Sequence, residues 1–247
     1  MNRTTMVPID REIVYPETDG KPVGETDIHI QELLDTLATL KDFFRDQPNI
    51  YVSGDNMFYY EERDPSAVVS PDIYVVKGIA KGLRRIYKLW VEKIPPCFVL
   101  EITSRSSRLE DLGTKRAIYA LLGVREYFLF DPTEEYLEPP LQGFILVNNE
   151  YQHLEPDADG SFISQELGLN LRIDNNQLRF FIPSTGEKLL RPLELAEAHR
   201  RSEKQVQLEI QARRLAEQQA QWETAARRKA ELEIERLQAE LQRLREK

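Results

Sequence analysis

The chain has 247 residues, 41% of them hydrophobic and 30% charged, with a formal net charge of −9 and a pI near 5.1. That balance excludes a broad basic field, so a bound polyanion needs a local patch, a metal ion or both. A single cysteine, Cys97, excludes an intramolecular disulfide framework and fits a reducing cytoplasm, and no signal-peptide or membrane-spanning run is evident.

Length and composition predict one globular core over residues 1–191 and a helical tail over 192–247. The first element is a helix with apolar positions Leu33, Leu34, Leu37, Leu40 and Phe43-Phe44, capped by Thr26 or Asp27. Strands are expected at 50–53 and 56–60, joined by a Gly54-Asp55 turn, and with 73–76 and 98–102 they predict an antiparallel run. Between the last two lies a basic, aromatic segment, 77–90, with Lys77, Lys81, Arg84, Arg85, Lys88, Tyr87 and Trp90. Its cations are candidates for phosphate contact, and its rings either stack on bases or pack.

Asp72 opens the strand Ile73-Tyr74-Val75-Val76, and Glu101 follows the apolar run Phe98-Val99-Leu100. An acid leaving a buried strand is costly unless paired or metal-bound. Mg²⁺ takes oxygen ligands and is often held by one or two carboxylates plus substrate phosphate. Asp72 and Glu101 therefore suit metal ligands, and Lys115, on the helix that follows, suits the role of orienting water or offsetting charge on a phosphate. The plainer alternatives are a turn-forming Asp72 and a surface ion pair between Asp111 and Lys115, four apart on one helix face.

That helix is expected over 109–122, with Leu112, Ala117, Ile118, Leu121 and Leu122 as its apolar positions and Gly123 as its stop; strand 126–130 then ends at Asp131-Pro132. A β-rich extension follows, pairing 144–147 with 151–154 and 167–173 with 177–182, and His153 reads as a surface-strand residue. The tail carries 12 Lys/Arg against 11 Asp/Glu, which suits a solvated helix. Leu208, Ala212, Leu215, Trp222, Ala226, Ala230, Ile234, Leu237, Leu241 and Leu244 recur at spacings of three and four. They predict a coiled coil used for homo-oligomerisation or docking to a partner helix, or else a lone helix.

Ser70-Pro71-Asp72, Phe98-Val99-Leu100-Glu101-Ile102-Thr103-Ser104, Asp111 with Lys115 and Tyr119, and residues 123–132 together resemble the Uma-two (Uma2) family of endonucleases, also called domain of unknown function 820. The resemblance spans roughly residues 19–190. It implies the PD-(D/E)xK nuclease superfamily: an α/β (α+β) fold with a mixed sheet flanked by helices, cleavage of DNA, and Mg²⁺ as cofactor with Mn²⁺ as substitute. It also implies Asp72, Glu101 and Lys115 as catalytic residues, Asp72 and Glu101 as metal ligands, Glu25 as an accessory ligand and His29 as its polar neighbour. One departure stands out: the superfamily's usual lysine lies two residues after the glutamate, where this chain has Thr103, so the resemblance points to Lys115 instead. The competing reading is a nuclease-fold protein without activity that binds nucleic acid or protein and oligomerises through its tail.

Overall fold

Apolar runs with no polar alternation form strands buried on both faces, and the runs at 73–76, 98–100 and 127–130 become the centre of the main sheet. The computed structural model describes residues 13–18 and 26–245. In chain order the elements are α1 (Asp27–Phe43), β1 (Ile50–Ser53), β2 (Phe58–Tyr59), β3 (Val68–Val69), β4 (Ile73–Lys77), β5 (Tyr87–Lys88), α2 (Leu89–Glu92) and β6 (Phe98–Ile102). A π-helical turn (Glu110–Lys115) then leads into α3 (Arg116–Leu122), followed by β7 (Glu126–Phe130), β8 (Leu141–Val147), β9 (Glu150–His153), β10 (Phe162–Ser164), β11 (Leu169–Asp174), β12 (Gln177–Phe181) and α4 (Pro192–Arg245).

Six strands in the order β1-β4-β6-β7-β8-β9 make one mixed sheet. β6 and β7 are parallel, with Glu101 opposite Leu129, and the other neighbours are antiparallel. Successive side chains on a strand point to opposite faces, which sorts the core into two layers. Ile73, Val75, Phe98, Leu100, Phe128 and Phe130 pack with Leu40 and Phe44 and with strands β10–β12. Tyr74, Val76, Val99, Tyr127 and Leu129 pack on the other side with Tyr119. Glu101 shares the parity of Val99 and therefore faces the layer that contains α3.

The expected antiparallel run holds for β1, β4 and β6 but not for β2. Phe58-Tyr59 instead lies in a small sheet ordered β3-β2-β5, antiparallel to β3 and parallel to β5. Gly54 explains part of this: a Cβ there would fall 1.9 Å from the Asp72 carbonyl oxygen, so only glycine lets the chain leave β1 so close to β4. α1 is capped by Thr26, whose hydroxyl accepts the His29 N–H at 3.3 Å. Its buried face is more polar than the leucine pattern predicts. His29, Glu32, Thr36 and Thr39 are buried while Leu34 is exposed. Glu32 is satisfied by Arg191, 159 residues away, whose guanidinium reaches both its oxygens at 3.0 and 2.8 Å and also contacts Asp35 and the Leu178 carbonyl.

The chain divides into units Met1–Pro192 and Leu193–Lys247. In the second, Leu208, Leu215, Trp222, Ile234, Leu237 and Leu241 are exposed along α4; the Leu244 side chain lies outside the described residues. Exposed pairs Arg213–Glu217 and Arg227–Glu231 stitch successive turns. Among the described residues no helix is long and apolar enough to cross a membrane.

A candidate carboxylate and lysine site

Asp72, immediately before β4, comes beside Glu101 of β6 because Ile73 pairs with Leu100. The Asp72 N–H donates to Glu101 Oε2 at 3.3 Å, and Asp72 Oδ2 accepts the Ile102 N–H at 2.7 Å, so the two acids are tied through the sheet backbone. Asp72 Oδ1 lies 3.8 Å from His29 Nε2. Glu101 has no solvent exposure; its Oε1 accepts the Tyr119 hydroxyl at 2.6 Å and its Oε2 the Lys115 ammonium at 2.8 Å.

Lys115 also lies 3.0 Å from Asp111 Oδ1. This pair is not the surface ion pair that its spacing suggests: the Asp111 side chain is 1% exposed and that of Lys115 15%. The helix turns a polar face inward here. Leu109, Leu112 and Leu121 are exposed, while Asp111 and Tyr119 are buried. The π-helical winding of Glu110–Lys115 accompanies this inversion of the expected apolar face.

Two carboxyl groups, Glu101 and Asp111, thus meet one ammonium, and Asp72 adds its charge from farther off. Burial pushes the Asp72 carboxyl up to about 7 against the opposing pull of Lys115, and the Asp111 charge adds to the rise. Burial likewise raises Glu101 to about 8, with Lys115 opposing and Asp72 and Asp111 reinforcing. For Lys115, burial disfavours the charge, yet the carboxylates of Glu101, Asp111 and Asp72 outweigh it and hold the ammonium firmly protonated. Tyr119 is pushed well above the usual phenol range by burial and by Glu101, so it donates as a neutral hydroxyl.

A cleft of about 450 Å³ opens onto Asp72 and Lys115 and is lined also by His29, Asp55, Glu110 and Thr114 among others, while Glu101, Asp111 and Tyr119 are buried and do not line it. The donor set suits a hard cation: all the acids are oxygen ligands, and the protons that burial keeps on Asp72 and Glu101 are ones a cation displaces. Among the described residues no three His, Cys, Asp or Glu side chains form a preformed cage, and a two-carboxylate magnesium site needs none. Glu25, the expected accessory ligand, lies outside the described residues. Thr103 is buried with its N–H on the Phe130 carbonyl, so it brings no charge to the cleft.

The basic segment 77–90 is more engaged within the fold than its sequence suggests. Lys77 pairs with Glu166 at 3.0 Å, Lys81 donates to the Phe44 and Arg45 carbonyls at the end of α1, Arg84 forks onto Glu92, and Arg85 meets Glu17. Tyr87 is fully buried, stacked on Phe58 at 4.7 Å with its hydroxyl on the Ile94 carbonyl, so stacking on a nucleic-acid base is ruled out for that ring. Asp131, at the end of β7, is a structural acid: its oxygens accept the N–H groups of Thr133, Tyr136 and Leu137. The sequence offered no sign that the Ile102 N–H anchors Asp72; Asp111 stood beside Lys115 and Tyr119 in the motif that carries the resemblance, but its Leu-Glu-Asp-Leu setting reads as an ordinary exposed helix start and hides its burial.

Residues 17–176 match the model of the Uma2 family, described as "Putative restriction endonuclease". Among solved structures, a "putative nuclease belonging to DUF820" from Anabaena variabilis is similar over 62% of this chain and 86% of its own, at 17% identity and a TM-score of 0.43. No curated protein matches the chain.

Proposed function

The chain belongs to the Uma2 family, and from that membership together with the cluster at the cleft we propose that it is a metal-dependent endonuclease that hydrolyses DNA phosphodiesters. The observation that carries this reading is the direct contact of the buried Glu101 with Asp72 and Lys115, both of which line the cleft, and with Tyr119. Asp72 and Glu101 hold Mg²⁺, or Mn²⁺ in its place, and Glu25 is kept as the accessory ligand suggested by the resemblance. The bound ion supplies Lewis-acid stabilisation of phosphate charge and acidifies water.

The chain's own residues do the rest. The Ile102 N–H fixes Asp72 Oδ2 and leaves Oδ1 with no closer partner among the described residues than His29 Nε2 at 3.8 Å, while the Tyr119 hydroxyl fixes Glu101 Oε1. Lys115, held fully protonated by its carboxylate neighbours, places its positive charge where the phosphorane-like transition state gathers negative charge. Since Thr103 brings no charge, Lys115 takes the role that the superfamily gives to the residue two after the glutamate.

A second concavity, about 430 Å³, is lined by Lys41, Arg45, Lys81 and Arg84 along β1, of which Arg45 is paired with Asp42 and Asp46 and Arg84 with Glu92. Ser53 lines it and Asp55, two residues on, lines the cleft, which supports a DNA strand running from the cleft along the β1 edge on an otherwise acidic protein. The exposed apolar positions of α4 support self-association or pairing with a partner helix, and the unpaired Cys97 supports a cytoplasmic location. Incubation of plasmid, linear duplex and single-stranded DNA with Mg²⁺, Mn²⁺ or EDTA tests the reading. Cutting is expected only with metal and is lost in Asp72→Asn and Glu101→Gln; a folded protein that cuts nothing would favour a nuclease-fold binding protein.

A further inference from the structure

Lys115 has two carboxylate partners, and only Glu101 is a proposed metal ligand. Asp111, the other, has no solvent exposure, and neither of its oxygens accepts a hydrogen bond; Oδ1 has only the ion pair at 3.0 Å. A buried carboxylate so poorly satisfied is expensive to keep for stability alone. Its backbone is nonetheless pinned: the Tyr127 hydroxyl donates to the Asp111 carbonyl at 2.9 Å, and the Asp111 N–H to the Ser107 carbonyl at 2.9 Å. It also lies in a π-helical turn, a rare winding that recurs at functional sites.

We propose that Asp111 is a positioning residue that retains the Lys115 ammonium at the cleft floor once a divalent cation has taken Glu101. The inference rests on the nuclease reading. In the metal-free protein, Glu101 and Asp111 share the ammonium; a cation on Glu101 weakens that attraction, and the Asp111 contact is the one that persists. Without it, Lys115 swings toward solvent in the loaded protein. A structural salt bridge would behave differently. Because Lys115 keeps its 2.8 Å contact with Glu101 when Asp111 loses its charge, the metal-free fold should lose no stability on that change.

The test compares the full-length wild type with Asp111→Asn and Asp111→Glu. In EDTA at pH 8 the Asp111→Asn variant is expected to unfold at the same urea concentration as wild type or a higher one. Its DNA cleavage falls about 10- to 100-fold in kcat with KM little changed, and Asp111→Glu recovers part of the loss. Independently of activity, peptide mass spectrometry after treatment with an amine-acylating ester reads the exposure of Lys115. Mg²⁺ should leave the wild-type rate nearly unchanged and raise that of Asp111→Asn by about fivefold or more. Equal acylation of Lys115 in the two proteins with Mg²⁺ overturns the proposal, as does a destabilised Asp111→Asn with unaltered cleavage. Loss of the Mg²⁺-induced rise in melting temperature in Asp111→Asn overturns it too, by making Asp111 a ligand. If wild type cuts no DNA with any metal, the nuclease reading falls, while the acylation result still decides the role of Asp111.

Discussion

Replacing Lys115 with methionine keeps much of the side-chain volume and removes the cation that faces Glu101 and Asp111. At 2.8 and 3.0 Å, each attraction is worth roughly 5–6 kcal/mol at an effective dielectric constant near 20. Desolvating the ammonium offsets several kcal/mol of that sum, and breaking a buried pair from one side costs about 3–5 kcal/mol. Lys115→Met should therefore lose about 3–5 kcal/mol of stability at pH 8 in EDTA. The loss depends on pH in a definite direction. Asp72 and Glu101 have folded pKa values above their ordinary ones, and losing Lys115 raises them further, so at pH 5.5 both are already protonated and need no counter-charge. Urea unfolding at the two pH values measures both effects. A loss under about 1 kcal/mol at pH 8 would be an exposed pair's magnitude and would refute the account of Lys115 as the site's counter-ion. So would a loss of the same size at both pH values.

The same shifts govern the wild type. A raised folded pKa contributes stability that is present below the unfolded value and is lost as pH rises through the folded one, here about 7 for Asp72 and about 8 for Glu101. The metal-free protein should thus lose stability progressively from about pH 4 to about pH 8, while stabilisation by Mg²⁺ grows as the pH approaches 8 because the cation displaces protons; thermal melts showing no pH trend in either quantity would contradict this. Arg191→Ala strands Glu32 in the interior and should cost about 3–5 kcal/mol, read as a lowered urea midpoint; a shift near zero would mean that Glu32 finds other partners. Gly54→Ala forces a Cβ onto the Asp72 carbonyl, so it should weaken Mg²⁺-induced stabilisation as well as the fold, and an unchanged metal response would show that the backbone absorbs the strain. Light scattering of the full-length chain at micromolar concentration should give a mass above that of one 28.8 kDa chain, and a monomeric mass would count against self-association through α4.

How legible the molecule was depended on how each residue's environment writes itself into its neighbours. Strands β4, β6 and β7 announce themselves as unbroken apolar runs, and their acids stand out against that background. Hairpins around Asn148-Asn149 and Asn175-Asn176 are equally plain, since all four asparagines adopt positive φ. β2, β3 and β5 are two-residue pairings, too short for a period, and their sheet membership is decided by long-range contacts such as Phe58 on Tyr87. The π-helical turn defeats a 3.6-residue pattern, so Leu112 and Leu121 look like core and are exposed, while Asp111 looks exposed and is buried. In the cleft the residue types were visible beforehand, whereas the Ile102 N–H, the inward Asp111 and the engagement of the basic segment needed coordinates.

The guanidinium of Arg191 closes on Glu32 of the first helix across 159 residues of intervening chain, which has a consequence for the order of events during synthesis. His29 and the rest of α1 cannot be locked against β12 until nearly the whole core has been made, so the cleft that His29 borders stays incomplete on the nascent chain. The 54 residues of α4 are translated only after Arg191. At roughly 5–20 residues per second they take several seconds. That interval gives a fold rich in distant strand pairings time to close before the exposed apolar positions of α4 are all present to meet those of another copy.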